Sequence, residues 1–184
     1  MIPTAYFAQT QSMQEEWWKL SKLEQEIFLQ IVTGAADSSS FDEFVTRFII
    51  YNVLYNLCAE KLAYGKKGGD KKKATEAVFK VLQHKSAHLL SVMASDIEKL
   101  NNIISENGFI IDTDNPANDK VMLKKMSSSD TDEKIKSVLN CLYKLRCNLI
   151  HGDKEYMEEQ QPLLATANNC LKILNEEICM VLGE

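Results

Sequence analysis

Apolar residues recur at helical spacing along most of the chain, with shorter stretches of polar residues and glycine between the periodic segments. Serines at 38–40 can cap the second segment, and glycines 34, 65 and 152 interrupt or end others. The third segment could be one long helix or two. The pattern therefore predicts four to five α-helices, over about 14–33, 41–64, 73–107, 129–151 and 157–182 or 162–182.

One part of the chain departs from this pattern. Residues 108–129 are rich in Asp, Asn and Ser, and only two short apolar groups, 109–111 and 121–123, can attach them to the body. We therefore expect an irregular insertion there. Short connections elsewhere favour an all-α, antiparallel up-and-down bundle over a solenoid, with residues 1–184 forming a single domain.

Composition excludes several classes of protein. The hydrophobic and charged fractions, 45% and 26%, are ordinary for a globular domain, and only 7 Gly and 3 Pro argue against an all-β fold. No apolar run approaches the roughly 18 residues of a membrane helix, and the first residues do not resemble a secretion signal. Five cysteines without a C-x-x-C pair indicate reduced thiols. We expect a soluble, cytoplasmic protein without a membrane partner.

The charge is unevenly distributed. The net charge of -5 argues against a protein that coats nucleic acid with its whole surface. Between Lys61 and Lys85, however, eight lysines stand against Asp70 and Glu76, which leaves a local charge of +6 and -11 for the remainder. A basic surface on an otherwise acidic protein is therefore compatible with the sequence.

The chain has only three histidines, and His84 and His88 are four apart, a spacing that zinc sites use. The H-E-x-x-H pattern is absent, and no cysteine cluster completes a ligand set. The pair fits a polar helix face better than a metal site, so we expect no metal. A zinc-dependent hydrolase stays as a minor alternative.

The third histidine, His151, follows Arg146 by five residues near the end of the fourth segment. On an ideal helix of about 100° per residue, Arg146 falls within the apolar stripe, whereas His151 and Asn148 fall on the opposite side. A buried arginine needs an acidic partner, for which Glu43 is a candidate, or it lines a cleft. Alternatively, these cations simply complement the C-terminal end of the helix dipole.

Two stretches of the chain resemble the HEPN superfamily, whose ribonuclease members carry an R-x4–6-H motif. The stretch from Arg146 to Gly152 reads R-C-N-L-I-H-G, similar to the R-N-N-L-x-H-G version in stand-alone and ApeA-like bacterial members. Residues 48–55 read F-I-I-Y-N-V-L-Y and resemble F-x-x-x-x-N-A-L-Y. Cys147 stands where many catalytic members have a polar residue, which leaves a non-catalytic HEPN module that binds RNA or a protein as the alternative.

The resemblance implies an endoribonuclease that needs no metal or cofactor and uses the ribose 2′-hydroxyl as nucleophile. His151 would transfer protons, Arg146 would bind the phosphate, and Asn148 would orient the histidine or bind phosphate. One motif histidine per chain favours a homodimer, because the reaction needs both an acid and a base. The family also implies a toxin or anti-phage setting, with a possible antitoxin or regulatory protein as partner.

Given that resemblance, the lysines are candidates for guiding RNA. A solvated loop kept soluble by its charge is the alternative, since loops often collect lysine for that reason. No aromatic residues interleave the lysines of the loop in sequence. The candidate RNA-binding residues are Lys66, Lys67, Lys71, Lys72 and Lys73, with Lys144 and Lys154 flanking the motif.

Overall fold

The computed structural model describes residues 40–64, 69–111, 115–150 and 158–183, and these ranges are helical with short connections. The all-α class is therefore confirmed for the described part of the chain. The predicted helix at 14–33 lies outside it. The helices are α1 (Ser40–Lys61), α2 (Asp70–Lys72), α3 (Val78–Leu82), α4 (Ser86–Asn107), α5 (Ala117–Met126), α6 (Thr131–Ile150) and α7 (Gln161–Gly183).

The long helices form a bundle in which α7 packs between α1 and α4. Helices α1 and α7 run in the same direction. The Asn168 side-chain amide donates to the Ser40 carbonyl, and the Asn175 amide donates to the Arg47 carbonyl, each at 3.0 Å. Helix α4 runs opposite to α7, because His88 in its first turn meets Glu177 and Asp96 in its middle meets Asn169. Among the described helices, α7 therefore has one parallel neighbour, α1, and one antiparallel neighbour, α4.

The third predicted segment is helical, as expected, but its geometry is irregular. It comprises α2, a π-helical turn at Lys73–Ala77, α3, a 3-10 turn at Gln83–Lys85 and α4. The π turn packs on α1, where the Tyr51 hydroxyl donates to the Ala74 carbonyl. Burial raises the pKa of Tyr51, so this phenol stays a neutral donor. A buried contact between distant segments therefore accompanies the break in helix geometry.

The expectation of an irregular insertion at 108–129 is wrong in one respect, because Ala117–Met126 is a helix. Met122 and Met126 are buried one turn apart and attach this helix to the body. Asp119 accepts a 2.8 Å hydrogen bond from the Ile111 amide, which fixes the preceding connection. Helix α5 has only ten residues, and lysines separate its apolar positions. Its apolar stripe is therefore too short for the pattern to predict a helix.

Helix α6 begins after an acidic cap at Asp130. The Asp130 carboxylate accepts a 2.9 Å hydrogen bond from the Glu133 amide. This satisfies a donor that would otherwise be exposed at the helix N-terminus. Helix α6 accordingly starts at Thr131.

All five cysteines are free, as the sequence predicts. Cys58, Cys141 and Cys170 are buried, whereas Cys147 and Cys179 are half-buried. Burial raises the pKa of Cys58 and of Cys141 to about 12. These thiols stay protonated at neutral pH and act as small apolar groups in the core. No helix in the described part is both long and apolar enough to cross a membrane.

Helix α1 ends in a Schellman motif. The Tyr64 amide donates to the Ala59 carbonyl and the Ala63 amide to the Glu60 carbonyl, both at 2.9 Å. The central position of such a motif is left-handed, and here Ala63 occupies it with φ of 52°. The methyl group of alanine makes this conformation unfavourable, so α1 ends at a strained residue before Gly65 is reached.

The Ala63→Gly variant should be more stable than the wild type by about 1 kcal/mol, because glycine adopts the left-handed conformation without steric cost. Urea unfolding followed by circular dichroism measures the difference. The same substitution at exposed Ala94, in the middle of α4, provides the control and should destabilise by about 1 kcal/mol. A loss of stability in Ala63→Gly would contradict the strain at this position.

Candidate functional site

Arg146 lies near the C-terminal end of α6 and faces α1. Its Cζ atom is 5.9 Å from the centroid of the Phe48 ring, which is almost completely buried. The side chain itself is half-buried. Helix geometry predicted this inward position, and stacking on an aromatic ring is a favourable environment for a guanidinium group.

Two tyrosines lie within electrostatic reach of both Arg146 and one carboxylate, Asp70. Burial raises the pKa of Tyr55 on α1 and of Tyr143 on α6, and Asp70 at the start of α2 raises both further. The positive charge of Arg146 acts in the opposite direction on both tyrosines. Both phenols therefore stay neutral hydrogen-bond donors at physiological pH. We refer to Arg146, Tyr55, Tyr143 and Asp70 as the Arg146 cluster.

Glu43 does not take the role expected for it as partner of Arg146. One oxygen of its carboxylate accepts bonds of 2.9 and 2.6 Å from Arg47, and the other accepts a 3.3 Å bond from the Asn168 amide. Arg47 lies four residues after Glu43 on the same helix, so the pair forms locally. Glu43 thus contributes to the contact between α1 and α7.

Asn148, the third candidate catalytic residue, does not share the neighbours of Arg146. It is buried, and its side-chain amide donates a 2.9 Å hydrogen bond to the Ile111 carbonyl. Because the Ile111 amide is bound by Asp119, the connection between α4 and α5 is held from both sides. Asn148 therefore has a structural function in the described part of the chain. Its role toward His151 stays a prediction.

The Asn148→Ala variant should lose about 1–3 kcal/mol of unfolding free energy, because the buried Ile111 carbonyl loses its donor. Chemical denaturation gives this value. Asn169→Ala is the matched control, since the Asn169 amide bonds to Asp96 at the exposed surface, and its effect should stay within about 0.5 kcal/mol. Equal stabilities for the two variants would show that the Ile111 contact is dispensable.

Several candidate residues lie outside the described ranges, namely His151, Lys154, Lys66 and Lys67. Of the remaining lysines, Lys71 and Lys72 are exposed, and Lys144 is half-buried. Lys73 is also half-buried and donates a 2.9 Å hydrogen bond to the Asn56 side chain on α1. The lysine-rich stretch is thus joined to the helix that carries Phe48 and Tyr55.

His84 and His88 belong to different local structures, the 3-10 turn and α4, so the spacing of a continuous helix does not apply to them. His88 Nε2 lies 3.0 Å from Glu177, and Lys85 Nζ lies 3.0 Å from the other oxygen of this carboxylate. Within the described ranges, no group of three potential metal ligands occurs. The zinc alternative therefore gains no ligand set from these residues.

Two members of the Arg146 cluster, Asp70 on α2 and Tyr143 on α6, were not predicted from the sequence. Tyr143 could have been found, because it precedes Arg146 by three residues on the same helix. The proximity of Asp70 depends on how α2 packs, which has no local signal. No family model, no curated protein and no solved structure matches this chain.

Proposed function

We propose that the chain is a metal-independent endoribonuclease of HEPN type. The observation that carries the proposal is the position of Arg146, which is half-buried against Phe48 and lies beside two neutral phenols. A guanidinium group in such a place offers paired donors to the oxygens of a phosphate. His151 follows five residues later, at the spacing of the R-x4–6-H motif that the sequence resembles.

The proposed reaction is a transesterification within the RNA. The ribose 2′-oxygen forms a bond to phosphorus while the bond from phosphorus to the 5′-oxygen breaks. One histidine accepts the proton of the 2′-hydroxyl, and a second histidine donates a proton to the leaving 5′-oxygen. Arg146 stabilises the negative charge that accumulates on the phosphate oxygens in the transition state. The products are a 2′,3′-cyclic phosphate and a 5′-hydroxyl.

A homodimer supplies the second histidine in this proposal. Each chain carries one histidine in the motif, and the other two lie in the 3-10 turn and in α4. A symmetric interface at the C-terminal end of α6 would bring two copies of the motif to one cleft. A toxin or anti-phage setting in the cytoplasm, with an antitoxin as partner, belongs to the same proposal and rests on the resemblance alone.

A second candidate function is a non-catalytic HEPN module that binds RNA or a protein. The engagement of Asn148 favours it, because the amide that would orient a catalytic histidine is bonded to Ile111. Cys147, directly after the arginine, also favours this candidate. Binding that survives the loss of both Arg146 and His151 is the result expected of such a module.

Dependence on the 2′-hydroxyl tests the proposal. Purified protein is incubated in EDTA with an RNA oligonucleotide and with the same sequence made of 2′-deoxyribose. We expect cleavage of the RNA alone, because the deoxy strand lacks the nucleophile. Cleavage of both strands, or a requirement for added divalent metal, would contradict a metal-independent transesterification.

A further inference from the structure

The Schellman motif at the end of α1 presents Tyr64 beside two lysines from other elements. Lys80 Nζ on α3 lies 5.0 Å from the centroid of the Tyr64 ring, and Lys72 Nζ on α2 lies 5.6 Å from it. Both lysines are exposed, and the tyrosine is half-buried with its ring packed on the core. An aromatic ring with two cations over it is thus built from three separate elements, and a base that stacks on the ring displaces them toward its phosphates. We refer to these three residues as the Tyr64 surface.

The Tyr64 surface is joined to the Arg146 cluster through adjoining residues. Lys72 precedes Lys73, which is bonded to Asn56 on α1. Asn56 follows Tyr55, the phenol that experiences the charges of Asp70 and Arg146. Lys72 and Lys73 thus lie near the part of α1 whose buried Tyr55 also experiences the charge of Arg146.

Two described acidic residues lie near these cations, Asp70 in the Arg146 cluster and Glu76 beside Lys72. Glu76 lies 3.9 Å from Lys72, and both side chains are more than half exposed, so their attraction is weak in water. Lys80 lies over the Tyr64 ring, and a hydrogen bond with the Tyr64 side chain raises the pKa of Lys80, so the lysine stays charged. Cation–π contacts at exposed sites are weak. Either lysine can exchange its present contact for a phosphate.

We propose that the Tyr64 surface binds single-stranded RNA, with one base stacked on Tyr64 and the flanking phosphates bound by Lys72 and Lys80. The proposal rests on the proposed endoribonuclease function and names the surface that holds the substrate beside the Arg146 cluster. Stacking needs an unpaired base, which favours a single strand over a duplex. An acidic peptide would use the lysines but not the aromatic ring.

Binding and cleavage can be measured separately. The probe is a short fluorescent oligouridylate with 2′-O-methyl riboses, which lacks the free nucleophile and stays intact during an anisotropy titration. The variants are Lys72→Gln with Lys80→Gln, and Tyr64→Leu. The controls are Tyr64→Phe, which keeps the ring, and the exposed α5 pair Lys120→Gln with Lys124→Gln, which removes equal charge.

We expect the Lys72/Lys80 double variant to bind about tenfold more weakly and to reduce the slope of log K against log salt by about 1.4, because two phosphate contacts are lost. Tyr64→Leu should weaken binding about tenfold without changing this slope, since stacking involves no ion release. Both controls should bind as the wild type does, and duplex RNA should compete poorly.

Equal binding by the Lys72/Lys80 and Lys120/Lys124 variants would overturn the proposal, as would displacement of the probe by polyglutamate at equal charge concentration. Cleavage of the same sequence with ordinary riboses is followed in parallel. Binding through the Tyr64 surface without cleavage supports the surface and contradicts the endoribonuclease. Cleavage with unchanged binding in the Tyr64 and lysine variants contradicts the surface alone.

Discussion

The His151→Ala variant should cleave RNA about 10²- to 10⁴-fold more slowly than the wild type, because it lacks the group that transfers protons in the reaction. An unperturbed histidine, with a pKa of about 6.5, can accept and donate protons at neutral pH, and alanine can do neither. The measurement is the single-turnover rate on a labelled RNA in EDTA at saturating protein.

His84→Ala is the matched control for this variant. His84 is exposed and lies in the 3-10 turn before α4. Its replacement removes one histidine, as His151→Ala does, but leaves the motif unchanged. The control should retain the wild-type rate. If both variants cleave at the wild-type rate, His151 has no catalytic role, and the activity belongs to another residue or to a contaminant.

The Arg146→Gln variant should lower the cleavage rate about 10²- to 10³-fold, since the transition-state charge loses a charged donor. Glutamine retains a polar but shorter side chain, and the lost cation–π contact with Phe48 should contribute about 0.5–1 kcal/mol to the loss of stability. Arg146→Lys should recover part of the rate, because lysine keeps the charge but not the paired donors.

Arg47→Gln separates catalysis from stability. Arg47 is also a half-buried arginine, but it binds Glu43 on α1. Its substitution should destabilise the fold by a similar amount and leave the rate constant unchanged once the folded fraction is known from denaturation. If both arginine variants lose cleavage rate in proportion to their loss of stability, a direct role of Arg146 is contradicted.

The long helices were predictable from the sequence because each carries its own apolar stripe. The periodic segments anticipated α1, α6 and α7 to within a few residues, and the wheel position of Arg146 anticipated its contact with Phe48. The direction of Asn148, away from Arg146, followed from the same geometry. Local sequence determines such features, so helical spacing suffices to find them.

The remaining features depend on contacts between distant parts of the chain. The π turn packs on α1 through the bond from Tyr51 to Ala74, and the buried Glu177 is contacted by Lys85 from the 3-10 turn and by His88 from α4. Tyr64 lies beside its lysines because the chain turns at Ala63, after the end of α1, and because α2 and α3 pack next to it. Periodicity contains no information about such pairings, which explains why the Tyr64 surface escaped prediction.

The chemistry of the cut ends tests the endoribonuclease proposal most directly. RNA cleaved by the purified protein in EDTA is analysed by mass spectrometry, with the His151→Ala protein prepared in parallel. The proposal predicts fragments with a 2′,3′-cyclic phosphate at one end and a 5′-hydroxyl at the other, and almost none from the variant. Fragments with 3′-hydroxyl and 5′-phosphate ends, or equal yields from the two proteins, would contradict it.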